Sequence, residues 1–272
     1  MLIGQQQEEA SALENSDRSA MEMGVRHEAV AHSALFSHLS DAEAALLLRT
    51  STVRQIQPGN ALFHQGDAPE TLFQIVEGLV RVTQINTEGE QITLRIMGPG
   101  DLCCVAAIRQ QSYPATATAL KDTTVLAWRG CTFIDMANQH PAIANNVLAI
   151  VGNRAHEMLQ RATEMTGKCV SQRIAACLLR LSVQAGVTTR DGVHIEAPVT
   201  RTDLASMAGL TYFTVSRILS AWQKQGLVKS GRQRLTILNM PRIAEIAGPS
   251  LEQIAATASA AERRGGGHSR QR

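Results

Sequence analysis

The chain is 272 residues long, 44% apolar and 18% charged, the profile of a soluble globular protein with room for one large or two ordinary domains. No apolar run reaches the ~18 residues of a membrane-spanning helix, and the polar N-terminus lacks the basic start and apolar stretch of a secretory signal, so the sequence reads as cytoplasmic. The net charge of +2 hides an asymmetry: residues 1–169 carry 12 Lys and Arg against 18 Asp and Glu, and residues 170–272 carry 14 against 6.

An acidic half joined to a basic half points to a polyanionic partner for the second half alone. The five cysteines (Cys103, Cys104, Cys131, Cys169 and Cys177) are odd in number and contain no C-x-x-C pair. That argues against both a disulfide framework and a zinc site, and for reduced thiols.

Residues 1–33 are polar and aperiodic and read as a mobile leader. Ser40 can cap a short helix from Asp41, with Ala44, Leu46, Leu47 and Leu48 as its apolar bulk. From Thr50 to Ala127, short β-rich runs alternate with turn signals. Ala61–Phe63, Leu72–Val76, Leu79–Val82, Ile92–Ile96 and Ala115–Leu126 are the expected strands. Between them lie turns such as Gln57-Pro58-Gly59-Asn60, a hairpin loop over Asn86–Glu90, and Gly98-Pro99-Gly100-Asp101. This spacing predicts an antiparallel barrel or jelly roll.

From Cys131 the pattern is helical. Ala142–Thr166 places Val147, Val151, Met158, Ala162 and Met165 on one face, interrupted by Arg154. The stripe fits either a helix lying on its own β-roll or the seam of a two-helix coiled coil. Gly167 is the expected C-cap, and a further helix runs from about Ser171 to Gln184.

Val199–Leu238 carries the most information. Thr200 and Asp203 have the spacing of a capping box, and Leu204, Met207 and Ala208 form the apolar side of a short helix. Gly209 breaks it, Thr211 can cap a second helix, and Val215, Ile218, Leu219 and Trp222 fall on that helix's inner face. Helix, glycine turn and helix make a helix-turn-helix. Its outer face then holds Tyr212, Phe213, Ser216, Arg217 and Ser220, at the end that enters a major groove. Arg217 suits a bidentate contact to guanine, and Ser216 can donate to a base or a phosphate. Tyr212 and Phe213 fit either packing on a neighbouring helix or apolar contact with a thymine methyl. The following run alternates around Ser230-Gly231, with Lys229, Arg232 and Arg234 at the tip of a hairpin wing suited to phosphates. Arg201, Thr202, Thr211 and Thr214 complete the candidate DNA-contacting set.

The order of roll, long helix, helix-turn-helix and wing resembles the CRP/FNR family of bacterial regulators. The resemblance spans about Leu35 to Ala247. It rests chiefly on Thr200-Arg201-Thr202-Asp203-Leu204-Ala205, Gly209-Leu210-Thr211 and Thr214-Val215-Ser216-Arg217-Ile218-Leu219, with support from Gly98–Asp101 and Tyr113–Ala117. It implies an α+β fold with a leader (1–33), a sensory antiparallel β-roll (34–140), a dimerisation helix (141–167), a winged helix-turn-helix (168–247) and a tail (248–272). It also implies a homodimer through residues 142–166 on a pseudo-palindromic duplex site. RNA polymerase is a further partner if the protein activates.

The effector pocket implied by the resemblance holds Gly100, Asp101, Cys104, Val105, Pro114, Ala115 and Thr116. Cyclic-nucleotide members bind the ribose with a Glu and the phosphate with an Arg-Ser pair. Here those places fall at Val105, Pro114 and Ala115, which gives a buried phosphate no charge partner. Iron–sulfur members cluster cysteines near the N-terminus, whereas this chain has none before Cys103. The expected effector is therefore neither cyclic AMP nor an iron–sulfur cluster. A haem-binding member pairs a Cys with a His two residues on; Cys104 falls near the first place, but Ala106 stands at the second. Haem would need other ligands, such as His64 or His140, and the cofactor stays open. FNR-like members place a Glu where Phe213 stands, which predicts a half-site that differs there and keeps the guanine read by Arg217. Two alternatives remain: a haem- or thiol-based gas or redox sensor, and, more distantly, a cupin-type metal enzyme. The enzyme reading has only His64 as a histidine within Thr50–Ala127.

Overall fold

The computed structural model describes residues 24–31, 33–103, 112–231 and 234–248. Cys104, Val105 and Arg232 lie outside the described residues, as do most of the leader and all but Gly248 of the tail.

The front half is the expected roll. Two four-stranded antiparallel sheets, in the orders β1-β8-β3-β6 and β2-β7-β4-β5, face each other. Their strands are β1 (Thr52–Ile56), β2 (Ala61–Phe63), β3 (Thr71–Glu77), β4 (Val80–Ile85), β5 (Gln91–Met97), β6 (Leu102–Cys103), β7 (Thr116–Ala119) and β8 (Thr123–Arg129). The run Ala115–Leu126, expected as continuous β, is two strands separated at Leu120–Asp122.

Strand periodicity sorts the roll's side chains into two cores. Phe73 and Ile75 of β3, with Val125 and Ala127 of β8, point between the sheets, where Phe63 stacks on Tyr113 at 4.0 Å. Leu72 and Val76, with Leu126 and Trp128, point outward and are covered by helices. Those helices are α1 (residues 24–31), α2 (Asp41–Thr50), α3 (Gly130–Gln139) and the first half of α4 (Pro141–Gly167). Ser40 caps α2 in a reciprocal box with Glu43, and Trp128 donates its Nε1–H to the Leu47 carbonyl at 2.8 Å. Helix α1 falls inside the segment expected to be a mobile leader. Its buried Ala29 packs in the helical core, and its carbonyl accepts from Gln74 Nε2 at 3.0 Å. The leader's polarity hid this helix because its apolar contact is small: Ala29 is buried and Val25 and Val30 pack only partly against the core.

Arg154, which breaks the apolar stripe of α4, points at the roll. Its Nη2 reaches Asp101 Oδ1 at 3.3 Å and the Leu102 carbonyl at 2.9 Å. Gly167 is the last helical residue of α4, and Lys168 is the cap in its place, extended at φ −107°.

The rear half consists of α5 (Val170–Ala185), α6 (Arg201–Ala208), α7 (Tyr212–Lys224) and α8 (Met240–Ala247). A four-stranded antiparallel sheet, β11-β12-β10-β9, completes it. Its hairpin β9 (Gly186–Thr189) and β10 (Gly192–Ile195) has no counterpart in the sequence expectations. The wing is β11 (Val228–Gly231) paired with β12 (Arg234–Ile237), and Gly231 stands opposite Arg234. Ser230 and Gly231, expected as the turn, are therefore strand residues.

Candidate nucleic-acid interface

The interface is built from two capped helices and a strand pair. Thr200 Oγ1 accepts from the Asp203 backbone N–H at 3.1 Å, while Asp203 Oδ2 accepts from the Thr200 N–H at 2.8 Å. This satisfies two donors that the start of α6 would otherwise leave open. Gly209 ends the helix at φ +62°, ψ +45°, a left-handed conformation that glycine adopts without steric cost. Thr211 then caps α7, its Oγ1 accepting from the Thr214 N–H at 3.3 Å. Val215, Leu219 and Trp222 bury the inner face of α7, with Ile218 partly buried beside them.

The opposite face of α7 is open. Arg217 and Ser220 are exposed, and no ion pair among the described residues engages Arg217. Phe213 is 82% exposed and touches Tyr212 edge-on at 5.8 Å, so packing on a neighbouring helix is not its role in this chain. Ser216 is half-buried, and its Oγ accepts from Arg201 Nη1 at 2.6 Å. Arg201 thus braces α6 against α7. The Ser216 hydroxyl proton stays available for donation, because a hydroxyl that accepts one bond can still donate one.

Thr202 is exposed on the first turn of α6, Thr211 is exposed at the cap, and Thr214 is half-buried with its hydroxyl 2.9 Å from that of Thr211. Lys229 and Arg234 are exposed on the wing. Ser230 donates its N–H to Gln223 Oε1 at 3.2 Å, which ties the wing to α7. Between wing and helices opens a cleft of about 490 Å³ whose walls include Arg201, Tyr212 and Arg234. Apart from Arg232, the candidate DNA-contacting residues thus gather on two helices and one hairpin.

The candidate effector residues are less unified. Gly100 and Asp101 line a cavity against α4 and α5, to which Pro114, Ala115 and Thr116 do not contribute. Ala115 is buried in the roll core and Pro114 is exposed. Thr116 Oγ1 accepts from the Gln65 N–H at 2.9 Å. Cys103 is buried, its sulfur 3.8 Å from Met97 Sδ. His64 sits in an exposed turn, and His140 faces Glu43 at 3.8 Å. Among the described residues, no group of three or more His, Cys, Asp or Glu side chains is placed to hold a metal ion. No described helix is long and apolar enough to cross a membrane.

Sequence reasoning missed a contact between the halves. Asp203, the capping acid of α6, also accepts from Thr93 Oγ1 of β5 at 2.8 Å and pairs with Arg81 Nη2 of β4 at 3.3 Å. Arg81 Nη2 donates as well to the Pro198 carbonyl at 3.2 Å. Leu79 and Ile96 of the roll are buried in the same core as α5, α6 and α7. The sequence signal was present, since Asp203 was already the helix-start acid; its second partner is more than 100 residues away.

Residues 53–140 match the cyclic nucleotide-binding domain, and residues 172–246 match the Crp-like helix-turn-helix domain. The chain belongs to the CRP/FNR family of transcription regulators. Similar proteins include the Thermus thermophilus "Cyclic AMP receptor protein", 28% identical over 79% of this chain and 97% of the relative. The Vibrio cholerae "Fumarate and nitrate reduction regulatory protein" is 28% identical over 73% of this chain and 80% of the relative. Among solved structures, FixK2 from Bradyrhizobium japonicum shares the fold with a TM-score of 0.64 and 22% identity, covering 73% of this chain and 98% of that one. The CRP/FNR helix-turn-helix is a DNA-binding module, and the family is one of regulators rather than enzymes, so the cupin-type alternative is set aside.

Proposed function

We propose that this CRP/FNR regulator acts in the cytoplasm as a homodimer. It would read a pseudo-palindromic duplex with Arg217 on guanine and with Ser216 and Phe213 beside it, while Lys229 and Arg234 hold phosphates. The observation that carries this reading is Arg217, exposed and without an ion pair among the described residues, on the outer face of a helix that Thr211 caps and that packs inward through Val215, Leu219 and Trp222. A bidentate Arg–guanine pair discriminates by about 1–3 kcal/mol. Dimerisation through α4 is supported by an uncovered stripe: Leu148, Met158 and Leu159 are each about two-thirds exposed, which is unusual for a stable surface. Leu148 and Leu159 share a face with the small residues Ala155 and Ala162, at the spacing of a two-helix seam.

The effector is proposed to be neither cyclic AMP nor an iron–sulfur cluster. Pro114 and Ala115 offer no side-chain donor to a phosphate, and Phe63 and Tyr113 stack within the roll core. Selection of bound duplexes, followed by Arg217→Ala, tests the DNA reading. Loss of discrimination at one base pair per half-site supports it. A uniform loss across sequences would make Arg217 a phosphate contact, and recovery of an unaltered FNR or CRP site would remove the assigned effect of Phe213.

A further inference from the structure

Where the roll meets α4 and α5 there is a cavity of about 420 Å³, within the size range of small-molecule sites. Its walls include Arg95 of β5, the turn ending in Asp101, Glu157 of α4, and Arg180 and Gln184 of α5. The two halves of the protein touch directly here: a Cβ on Gly98 would stand 2.7 Å from the Gln184 carbonyl oxygen.

The polar groups facing this cavity are incompletely matched. The Arg95 side chain is only 13% exposed, yet its approaches to Asp101 and Glu157 are both 3.6 Å, beyond hydrogen-bond length. Its Nε is buried with no partner among the described residues. Asp101 is already committed, since Oδ2 accepts from the Gly98 N–H at 3.0 Å and Oδ1 accepts from Arg154 at 3.3 Å. Arg180 reaches Glu164 at 2.8 Å through one nitrogen.

The charge balance points the same way. Arg154 and Arg161 stand directly behind this wall on α4, with Lys168 further along the helix. With Arg95 and Arg180 they make five cations against the three carboxylates Asp101, Glu157 and Glu164. Burial, followed by the nearness of Arg95, lowers the pKa of Arg154. Burial, followed by Arg180 and Arg95, lowers that of Arg161. Both guanidiniums are therefore largely buried beside other cations, a costly condition that an anion relieves.

We propose that this cavity is an effector site for a small oxyanion. A carboxylate or phosphate would pair with the Arg95 guanidinium, whose two carboxylate neighbours stand beyond hydrogen-bond length and whose planar fork favours bidentate oxyanions. A ligand held there would tie the roll to the first helix of the DNA-binding half. The proposal rests on the regulator reading only for that consequence, because binding itself is measured without DNA.

The test is calorimetry on the full-length protein with malate, glycerol 3-phosphate and inorganic phosphate, against sodium chloride of equal ionic strength. The expected result is one saturable site per chain for malate or for glycerol 3-phosphate, and whichever binds separates a carboxylate source from a phosphate source. Arg95→Met should weaken it at least tenfold, and Val183→Trp, which fills the rim and leaves every charge in place, should abolish it. Arg242→Ala, a surface cation elsewhere, should leave it unchanged. Absence of saturable binding for all three anions overturns the proposal. So does binding that survives Val183→Trp, or binding weakened equally by Arg242→Ala. If Arg95→Met does not fold, Val183→Trp decides alone. Binding that leaves DNA affinity unaltered keeps the site and removes its effector role; failure of the DNA reading itself would show in the Arg217→Ala selection instead.

Discussion

Arg81→Met, combined with Asp203→Asn in a double-mutant cycle, tests whether the roll and the DNA-reading half are held together by an ionic clamp. The Asp203 side chain is only 7% exposed, and it accepts from the Thr200 backbone, the Thr200 hydroxyl and the Thr93 hydroxyl before Arg81 adds its charge at 3.3 Å. Removing one partner of a fully buried ion pair costs about 3–5 kcal/mol. Arg81 is a quarter exposed, and the hydroxyls remain, so the expected loss is smaller, about 2 kcal/mol. At roughly 2–4 °C per kcal/mol for a protein of this size, Arg81→Met should lower the melting temperature by about 4–8 °C. The chain's two tryptophans divide the readout: Trp128 is buried in the roll and Trp222 in the DNA-binding core. Cycles run in Trp128→Phe and Trp222→Phe backgrounds therefore report on each half separately. The expected coupling between positions 81 and 203 is about 1–2 kcal/mol. A coupling below about 0.3 kcal/mol, no larger than between distant sites, would refute the clamp.

Leu159→Glu should convert the homodimer to a monomer, read by light scattering, with the circular dichroism of the chain retained. The side chain is 67% exposed in the single chain, so the charge is tolerated there and opposed only at a seam. Lys229→Ala should weaken binding to all duplexes alike and reduce the slope of log affinity against log salt by about 0.9 for each phosphate the lysine neutralises. Ser40→Ala should remove an acid-sensitive increment of stability. The Ser40 hydroxyl, then its backbone N–H, holds the Glu43 carboxyl below the ordinary carboxylate value. A depressed carboxylate pKa stabilises above the unfolded value and is lost as pH falls through the folded one. Thermal melts across that range should therefore show the gap between wild type and variant closing as the solution is acidified.

The parts legible in the sequence are those fixed by local rules. The α6–turn–α7 unit was readable because Thr200, Asp203, Gly209 and Thr211 each satisfy a backbone need within four residues of themselves. The roll's strands were readable because turns punctuate them. What was not legible depends on partners far along the chain. Arg154 reads as a flaw in an apolar stripe until Asp101 and the Leu102 carbonyl are seen beside it. Helix α1 reads as leader because Ala29 is its one buried residue. The β9–β10 hairpin is short and half-exposed, so it lacks the apolar alternation that marks a strand.

The shared core constrains how such a regulator can switch. Leu79 and Ile96 belong to the roll by chain position and to the DNA-binding half by packing. Exposing side chains of this kind costs about 1.5–3 kcal/mol each, before the Asp203 contacts are broken. Effector coupling energies are typically about 1–3 kcal/mol. An effector of that strength cannot pull the two halves apart, because the hydrophobic cost alone equals or exceeds what it supplies. It can, however, shift one docked arrangement to another in which Leu79 and Ile96 stay buried. Such a shift would act through the polar contacts of the interface, the buried Thr93–Asp203 pair with Arg81 on one side and the Arg95 cavity on another. A weak Arg81–Asp203 coupling would leave the apolar contact as the main tie between the halves and would move the search for the switch away from that cluster.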